Sequence, residues 1–585
     1  MCGIIGCIGE DAVNKTYKGL VRLEYRGYDS AGVAVLDGGN ICTIKRTGMV
    51  SALKEELTSL CGGAAIGHTR WATHGAPSDI NAHPHTAGKF SVVHNGIIEN
   101  YAELRAELAA EGYVFKSQTD SETVVYLLNK YYRGSFPEAV KNTVKRLKGS
   151  FALGILCSEC NCIAAVRYRN PIIIAEGKNC CFLSSDMPAL AGEADKACIL
   201  KDGQMAFLTK NGVKLYDFDL NEVNFTYVPV KISAGDTSLQ GFPHYMLKEI
   251  YEIPAAVKNT LSAIDSSCEN ALKRLYYRVN RIILTGCGTA FNSTLAASYV
   301  MEEALGVPVL AEVASELRYR FRVMDENTLL IAVSQSGETA DTVEAARSAK
   351  EKGVKTVAVT NVSCCALNGL ADVAIPVRAG TEVCVAATKS YCGQIAALLK
   401  ITEILSGEKI GGLENLSDMC EHMARCTDVQ ALAALCARSK GVYFIGRGID
   451  YPAALEGSLK LKEVSYIAGE GYPAGELKHG PLALIDGDTL TVAIAADSRL
   501  AKKTASSAEQ IRSRGGKTAV IAAKSCLAEG LEEGADVCIE IPDCDWRLSP
   551  ALTVIPLQLA AYYAAVICGR NPDKPRNLAK SVTVE

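Results

Sequence analysis

The sequence predicts a multidomain α+β/α/β chain: one layered α+β domain followed by two doubly wound parallel-sheet domains. Three observations predict it. The chain has 585 residues, too many for one hydrophobic core, and domain-size scaling points to three or four units. Residues 2–225 are rich in short β-type runs with amphipathic helical patterns between them. The rest of the chain repeats one pattern, in which continuous apolar strands alternate with helices.

In the first domain the β-type runs are Gly3-Ile-Ile-Gly, Gly32–Leu36, Phe90–His94, Ala152–Leu156 and Ile172–Ala175. Helical patterns cover Asn100–Glu111 and Ser121–Tyr132. Gly, Ser and Pro cluster in Ser233-Ala-Gly-Asp-Thr-Ser-Leu-Gln-Gly-Phe-Pro, so residues 226–245 read as a linker. Tyr245–Leu261 has the periodicity of one amphipathic helix.

The repeat pairs Arg281-Ile-Ile-Leu-Thr-Gly-Cys-Gly with Gly441-Val-Tyr-Phe-Ile-Gly-Arg-Gly. Thr328-Leu-Leu-Ile-Ala-Val-Ser then pairs with Thr489-Leu-Thr-Val-Ala-Ile-Ala, Thr356–Thr360 with Thr518–Ala522, and Asp372–Pro376 with Asp536–Pro542. Continuous apolar strands are the mark of parallel sheets covered on both faces. The copies are expected over residues 246–415 and 416–575, with a tail over 576–585.

Bulk properties exclude several classes. The net charge of −4 leaves no basic surplus for nucleic acid or an anionic membrane. No apolar run is expected to approach the ~20 residues that span a bilayer. The N-terminus lacks the charged and apolar regions of a signal peptide, so a cytoplasmic location is expected. The 23 Cys residues lie mostly in apolar segments and read as reduced, buried small hydrophobes. Cys157, Cys160 and Cys162 are denser, but the strand–turn–strand pattern around them puts them on a hairpin tip, and no metal is expected there.

Cys2 is the most informative residue. With the initiator Met removed, one residue would carry a thiol and a free α-amine. The amine has a reference pKa of about 7.7–8.0, so near neutral pH it can accept the thiol's proton. An amide-hydrolysing thiol also needs oxyanion donors and a substrate clamp. Asn95-Gly96 can supply a side-chain amide and a backbone N–H, or else form a tight turn. Arg70 can clamp a carboxylate bidentately, and Asp120 can take an ammonium or cap the following helix. Five of the eight His residues fall between His68 and His94. Their spacing lacks the paired-ligand helix motif of zinc sites.

Met1-Cys-Gly-Ile-Ile-Gly, Leu23-Glu-Tyr-Arg-Gly-Tyr-Asp-Ser-Ala-Gly, His68-Thr-Arg-Trp-Ala-Thr-His-Gly and His94-Asn-Gly-Ile-Ile-Glu-Asn resemble the N-terminal-nucleophile glutamine amidotransferases. The second string narrows the resemblance to the glucosamine-6-phosphate synthases. The resemblance implies an αββα domain in which Cys2 attacks the glutamine amide and Asn95 and Gly96 form the oxyanion hole. It further implies that Arg70, Trp71, Thr73, His74 and Asp120 line the glutamine pocket, with Arg26 on a nearby loop.

Ser334-Gln-Ser-Gly-Glu-Thr339 follows an apolar strand and precedes a helix. Hydroxyls and N–H groups at such a turn make a phosphate cradle. The absence of Lys argues against a nucleoside triphosphate loop. Gly286-Cys-Gly288 lacks the third glycine of a dinucleotide fingerprint. The pattern resembles sugar isomerase (SIS) domains, which implies that Thr289, Ser334, Gln335, Ser336, Thr339, Val385 and Ala579 hold the phosphosugar. Lys460-Leu-Lys-Glu463 and Gly475-Glu-Leu-Lys-His479 also match the synthases. The match implies Glu463 as C1–C2 proton carrier, Lys460 assisting, His479 in ring opening from the neighbouring subunit of a homodimer, and Lys580 as Schiff-base lysine. Ala290 and Ala387 stand where many synthases have Ser.

The expected reaction converts glutamine and fructose 6-phosphate to glutamate and glucosamine 6-phosphate, with no metal or cofactor. The alternatives are a different amidotransferase, a sugar-phosphate sensor, or a phosphosugar isomerase with an inert first domain.

Overall fold

The structure is a computed structural model that describes residues 2–71, 74–230, 238–320, 324–363 and 365–582. The chain forms two compact units, Met1–Ser238 with Ala579–Glu585, and Leu239–Leu578.

Fourteen strands build the first unit among the described residues: β1 (Gly3–Gly9), β2 (Ser30–Asp37), β3 (Asn40–Thr47), β4 (Ala64–Arg70), β5 (His85–Ala87), β6 (Phe90–Ile98), β7 (Gly149–Cys157), β8 (Cys162–Tyr168), β9 (Ile173–Gly177), β10 (Cys180–Ser184), β11 (Lys196–Ile199), β12 (Gln204–Thr209), β13 (Gly212–Asp217) and β14 (Val228–Pro229). They form an antiparallel sheet in the order β14-β11-β9-β10-β1-β4-β2-β3 and a second in the order β13-β12-β8-β7-β6-β5.

The two sheets pack face to face. Side chains alternate along a strand, so β1 sends Ile4 and Ile8 toward the other sheet, where they meet Val93, Ala152 and Ala165. Ile5 and Cys7 point the opposite way, onto helix Ala12–Leu23. Helices Glu122–Tyr131 and Phe136–Val144 cover the outer face of the second sheet. The result is the four-layer αββα arrangement. Each sheet is buried on both faces, which is why its strands read as nearly continuous apolar runs. The linker region differs from expectation: Val228–Pro229 still pair with β11. Residues 231–237 of that stretch lie outside the described residues.

Among the described residues the second unit contains two five-stranded parallel sheets. The first is built from β15 (Arg281–Gly286), β16 (Val309–Val313), β17 (Thr328–Ser334), β18 (Lys355–Thr360) and β19 (Val373–Pro376), in the order β16-β15-β17-β18-β19. The second is built from β20 (Gly441–Gly446), β21 (Gly469–Pro473), β22 (Thr489–Ala495), β23 (Lys517–Ala523) and β24 (Val537–Ile541), in the order β21-β20-β22-β23-β24. The order is the same, and in each sheet it reverses between the first and third strands. Such a switch point opens a crevice at the carboxyl ends of the strands. β16 and β21, at the edges, escaped the sequence reading because half-exposed edge strands lack a continuous apolar run.

Two other expectations change. The helix expected over Tyr245–Leu261 is two helices, Tyr245–Tyr251 and Ile253–Ala263, because Pro254 fits a helix start and not an interior. The expectation that no apolar run approaches membrane-spanning length is also corrected. Helix Trp546–Ile567 is long and apolar enough by length and composition, and 83% of its most apolar stretch is buried. It packs against helices Asp450–Ser465 and Val429–Arg438 as the core of the second sheet domain.

Candidate active site

The glutaminase-type site forms where β1 begins. β1 and β4 pair antiparallel with Gly3 opposite Thr69, which brings Cys2 alongside Arg70 and Trp71 at the end of β4. The Trp71 N–H donates to Cys2 Sγ at 3.2 Å, and the thiol faces Trp71 O at 3.5 Å. Burial pushes the Cys2 thiol pKa up, while the Trp71 N–H and the charges of Arg70 and Arg26 oppose it. A half-buried thiol of raised pKa needs an adjacent base to become a nucleophile.

Asn95 reaches the same point from the facing sheet. The Asn95-Gly96 pair is not a turn: β6 continues through it to Ile98, with Asn95 opposite Ala152 and Gly96 opposite Phe151. Asn95 Nδ2 donates to the Cys2 carbonyl oxygen at 2.9 Å. An amide nitrogen has two protons, so one remains for a developing oxyanion. Gly96 sits at φ +128°, and a Cβ there would lie 2.0 Å from Ser150 O. No other residue fits beside Asn95.

Arg26 ends a short 3₁₀ turn, Glu24–Arg26, rather than lying on an open loop. Its Nε donates to Cys2 O at 3.2 Å and its Nη1 meets Asp186 Oδ2 at 2.5 Å. Tyr25 OH donates to the same carboxylate oxygen at 2.6 Å. Asp186, which the sequence did not single out, therefore anchors the turn that holds Cys2.

Arg70 is 3% exposed. Its Nη2 donates to His74 O and, at 3.0 Å, to Gly75 O. Its Nη1 is buried without a partner among the described residues, an orphan donor that a ligand carboxylate would satisfy. Asp120 does not cap the following helix, whose N-cap is Ser121. Its carboxylate accepts from Ile98 N at 2.8 Å and from Ser121 Oγ at 3.1 Å. Trp71 packs edge-on to Tyr28 and His74 to Tyr101. Thr73 lies outside the described residues.

The second unit holds the other candidate groups. Ser334 ends β17, its hydroxyl lies 3.0 Å from that of Thr339, and it accepts from Gly337 N at 3.0 Å. Ser336 Oγ accepts from Glu338 N at 3.2 Å, and Gln335 is half-buried. Gly337 adopts φ +67°, and a Cβ would strike Cys365 Sγ. Val385 is buried, with its N–H on Asp573 O at 3.3 Å.

Helix Asp450–Ser465 carries Lys460 and Glu463 three residues apart, with Lys460 Nζ 2.5 Å from Glu463 Oε2. Sequence reading missed Glu456, one turn before Lys460 and 3.5 Å from its Nζ. Glu456 is fully buried and accepts from Thr289 Oγ1 at 2.9 Å and Asn292 Nδ2 at 2.7 Å. The Thr289 hydroxyl, expected on a phosphate, donates here to Glu456. Burial works against the Lys460 charge, but Glu463 and Glu456 outweigh it and hold its pKa above the usual value. Burial raises the Glu456 pKa in spite of Lys460. The i, i+4 spacing of Glu456 and Lys460 was the signal that could have found it. His479 is exposed on a 3₁₀ turn, Glu476–His479. Lys580 and Ala579 are half-buried and belong to the first unit.

Comparison with known proteins agrees with this division. The glutamine amidotransferase domain family matches residues 68–192, and the SIS domain family matches 275–402 and 436–568. A glutamine–fructose-6-phosphate aminotransferase (isomerizing) from Clostridium tetani is 42% identical over the full length of both chains. One from Symbiobacterium thermophilum is 44% identical, again over both full lengths. The chain belongs to this aminotransferase family. Among solved structures, the C-terminal domain of the Francisella tularensis glucosamine-fructose-6-phosphate aminotransferase matches at 35% identity and TM-score 0.54. It covers 58% of this chain and 100% of its own. The tagatose-6-phosphate ketose/aldose isomerase of Escherichia coli, at 21% identity and TM-score 0.52, shares the fold over 58% of this chain and 96% of its own. The family resemblance therefore spans an amidotransferase domain and two SIS domains, as the sequence motifs implied.

Proposed function

We propose that the chain transfers the amide nitrogen of glutamine to fructose 6-phosphate and isomerises the product to glucosamine 6-phosphate, releasing glutamate. The observation that carries the first half is the convergence on Cys2 of the Trp71 N–H, the Asn95 carboxamide and Arg26. In this reading Cys2, at the mature N-terminus, attacks the amide carbon and its α-amine carries the thiol proton to the leaving ammonia. Asn95 Nδ2–H and the Gly96 N–H stabilise the oxyanion. Arg70 binds the glutamine carboxylate and Asp120 its ammonium, with Trp71, Thr73 and His74 around them. Water then releases glutamate from the thioester.

Ser334, Gln335, Ser336 and Thr339 hold the sugar phosphate, with Thr289, Val385 and Ala579 completing the phosphosugar site. Lys580 forms a Schiff base with the open-chain ketose, and ammonia displaces it at C2. Condensation with the ketose releases the water that thioester hydrolysis consumed, so the overall reaction balances. Glu463 then moves a proton from C1 to C2, with the Lys460 ammonium beside its carboxyl group. His479 opens the sugar ring, and its exposure suits a residue contributed to a neighbouring subunit of a homodimer. Ammonia passes internally, since free ammonia near neutral pH is mostly ammonium. The reaction needs no metal or cofactor, and we place the protein in the cytoplasm.

Cys2→Ala is expected to abolish glutamine hydrolysis and glutamine-dependent synthesis while fructose 6-phosphate isomerisation remains measurable. Hydrolysis that survives the substitution would overturn the nucleophile assignment.

A further inference from the structure

His68 belongs to the motif beside the site, yet none of the roles above uses it. It lies in β4, fully buried, opposite Ile4 of β1. Its Nε2 is 3.0 Å from the His94 carbonyl oxygen and 3.1 Å from Asn95 Oδ1. A carbonyl oxygen only accepts, so the proton must be on Nε2. Burial pushes the His68 pKa down to about 3, so the ring is neutral at working pH. Its Nδ1 is buried without a partner among the described residues, as the unprotonated nitrogen of that tautomer would be.

The consequence falls on Asn95. A carboxamide can flip by 180°, exchanging its oxygen and nitrogen. Here His68 Nε2–H takes the oxygen from behind, and the Cys2 carbonyl takes the nitrogen in front at 2.9 Å. The front contact is on the reacting residue, so the rear one is the fixed reference. His68 is itself held: the His83 ring stacks on it at 4.2 Å and 18°, and His83 Nδ1 accepts from His94 N at 3.2 Å. Donation to Oδ1 also polarises the carboxamide and strengthens Nδ2–H as a donor.

We infer that His68 is a positioning residue for glutamine hydrolysis: its Nε2–H holds the Asn95 carboxamide with nitrogen toward Cys2, where the oxyanion forms. This rests on the amidotransferase reading of the site. An oxyanion donor acts mainly in the transition state, so its disorientation should lower kcat and leave KM nearly unchanged.

The test compares His68→Leu, which removes the donor, with His68→Gln, which keeps an amide N–H near the same place. In His68→Leu, kcat for glutamine hydrolysis should fall about 10- to 100-fold, with KM for glutamine within about threefold. Inhibition by glutamate γ-semialdehyde, whose adduct with a thiol places an oxygen in the oxyanion site, should weaken by the factor lost in kcat/KM. His68→Gln should recover most of both losses. A wild-type kcat in His68→Leu, unchanged aldehyde inhibition, or equal impairment in the two variants overturns the positioning role alone. Hydrolysis that survives Cys2→Ala overturns the amidotransferase reading and this role with it.

Discussion

The two parallel-sheet domains share strand order and a Gly-x-Gly first turn, but they use the equivalent crevice differently. In the first, β17 runs into Ser334–Thr339, where hydroxyls and N–H groups cluster. In the second, β22 runs into Ala496 and Asp497, and both N–H groups donate to Asp450 Oδ2, at 3.1 and 3.4 Å. Asp497 in turn pairs with Arg499 at 2.9 Å. In the second domain a carboxyl group of the protein itself thus takes the donors that follow the strand. Counted from the matched glycines, the residue equivalent to Asp450 is Ala290. At that position the second domain carries a carboxyl group and the first a methyl group. A fold repeated within one chain need not repeat its site.

That comparison can be broken from either side. The largest effect is expected from Ala290→Asp, which gives the first domain the carboxyl of the second. Like charges placed together cost several kcal/mol, so fructose 6-phosphate affinity measured by calorimetry should fall at least about 100-fold. Ser334→Ala removes the acceptor for Gly337 N and the partner of Thr339. Two hydrogen bonds at about 0.5–1.5 kcal/mol each correspond to an affinity loss of about 5- to 150-fold if both are lost. The smallest effect concerns stability. Burial raises the Asp450 pKa to about 7, with Asp497 adding to the shift. A carboxyl whose folded pKa lies above its unfolded value near 3.9 binds more protons when folded. Its stabilising contribution is full below about pH 4 and is lost as pH rises through about 7. Thermal midpoints of Asp450→Asn should therefore fall less steeply across that window than those of the wild type. An equal slope would mean that Asp450 titrates normally.

Much of the glutaminase-type site was legible because its residues sit in contiguous strings: Arg70, Trp71 and His74 in one, Asn95 and Gly96 in another. The alternatives for these residues were local: strand pairing removed the turn for Asn95-Gly96, and the helix start at Ser121 removed the cap for Asp120. Asp186 lies outside these strings, and the string that contains His68 did not show its task. Asp186 acts through a turn 160 residues earlier in the chain, and the task of His68 depends on a strand in the facing sheet. Lys460 and Glu463 were readable from helical spacing, whereas Thr289 and Asn292, the hydrogen-bond donors to Glu456, lie more than 160 residues away.

The sequence by itself determined the elements and their repetition, because apolar periodicity, glycine turns and proline placement act over a few residues. It also determined the chemistry available at Cys2. Tertiary structure alone decided that Asn95 would meet Cys2 across two sheets, that Glu456 would join the two repeats, and that Asp450 would accept from the turn after β22. Each of those outcomes depends on which distant backbone supplies the neighbouring donor or acceptor, and local periodicity carries no record of it.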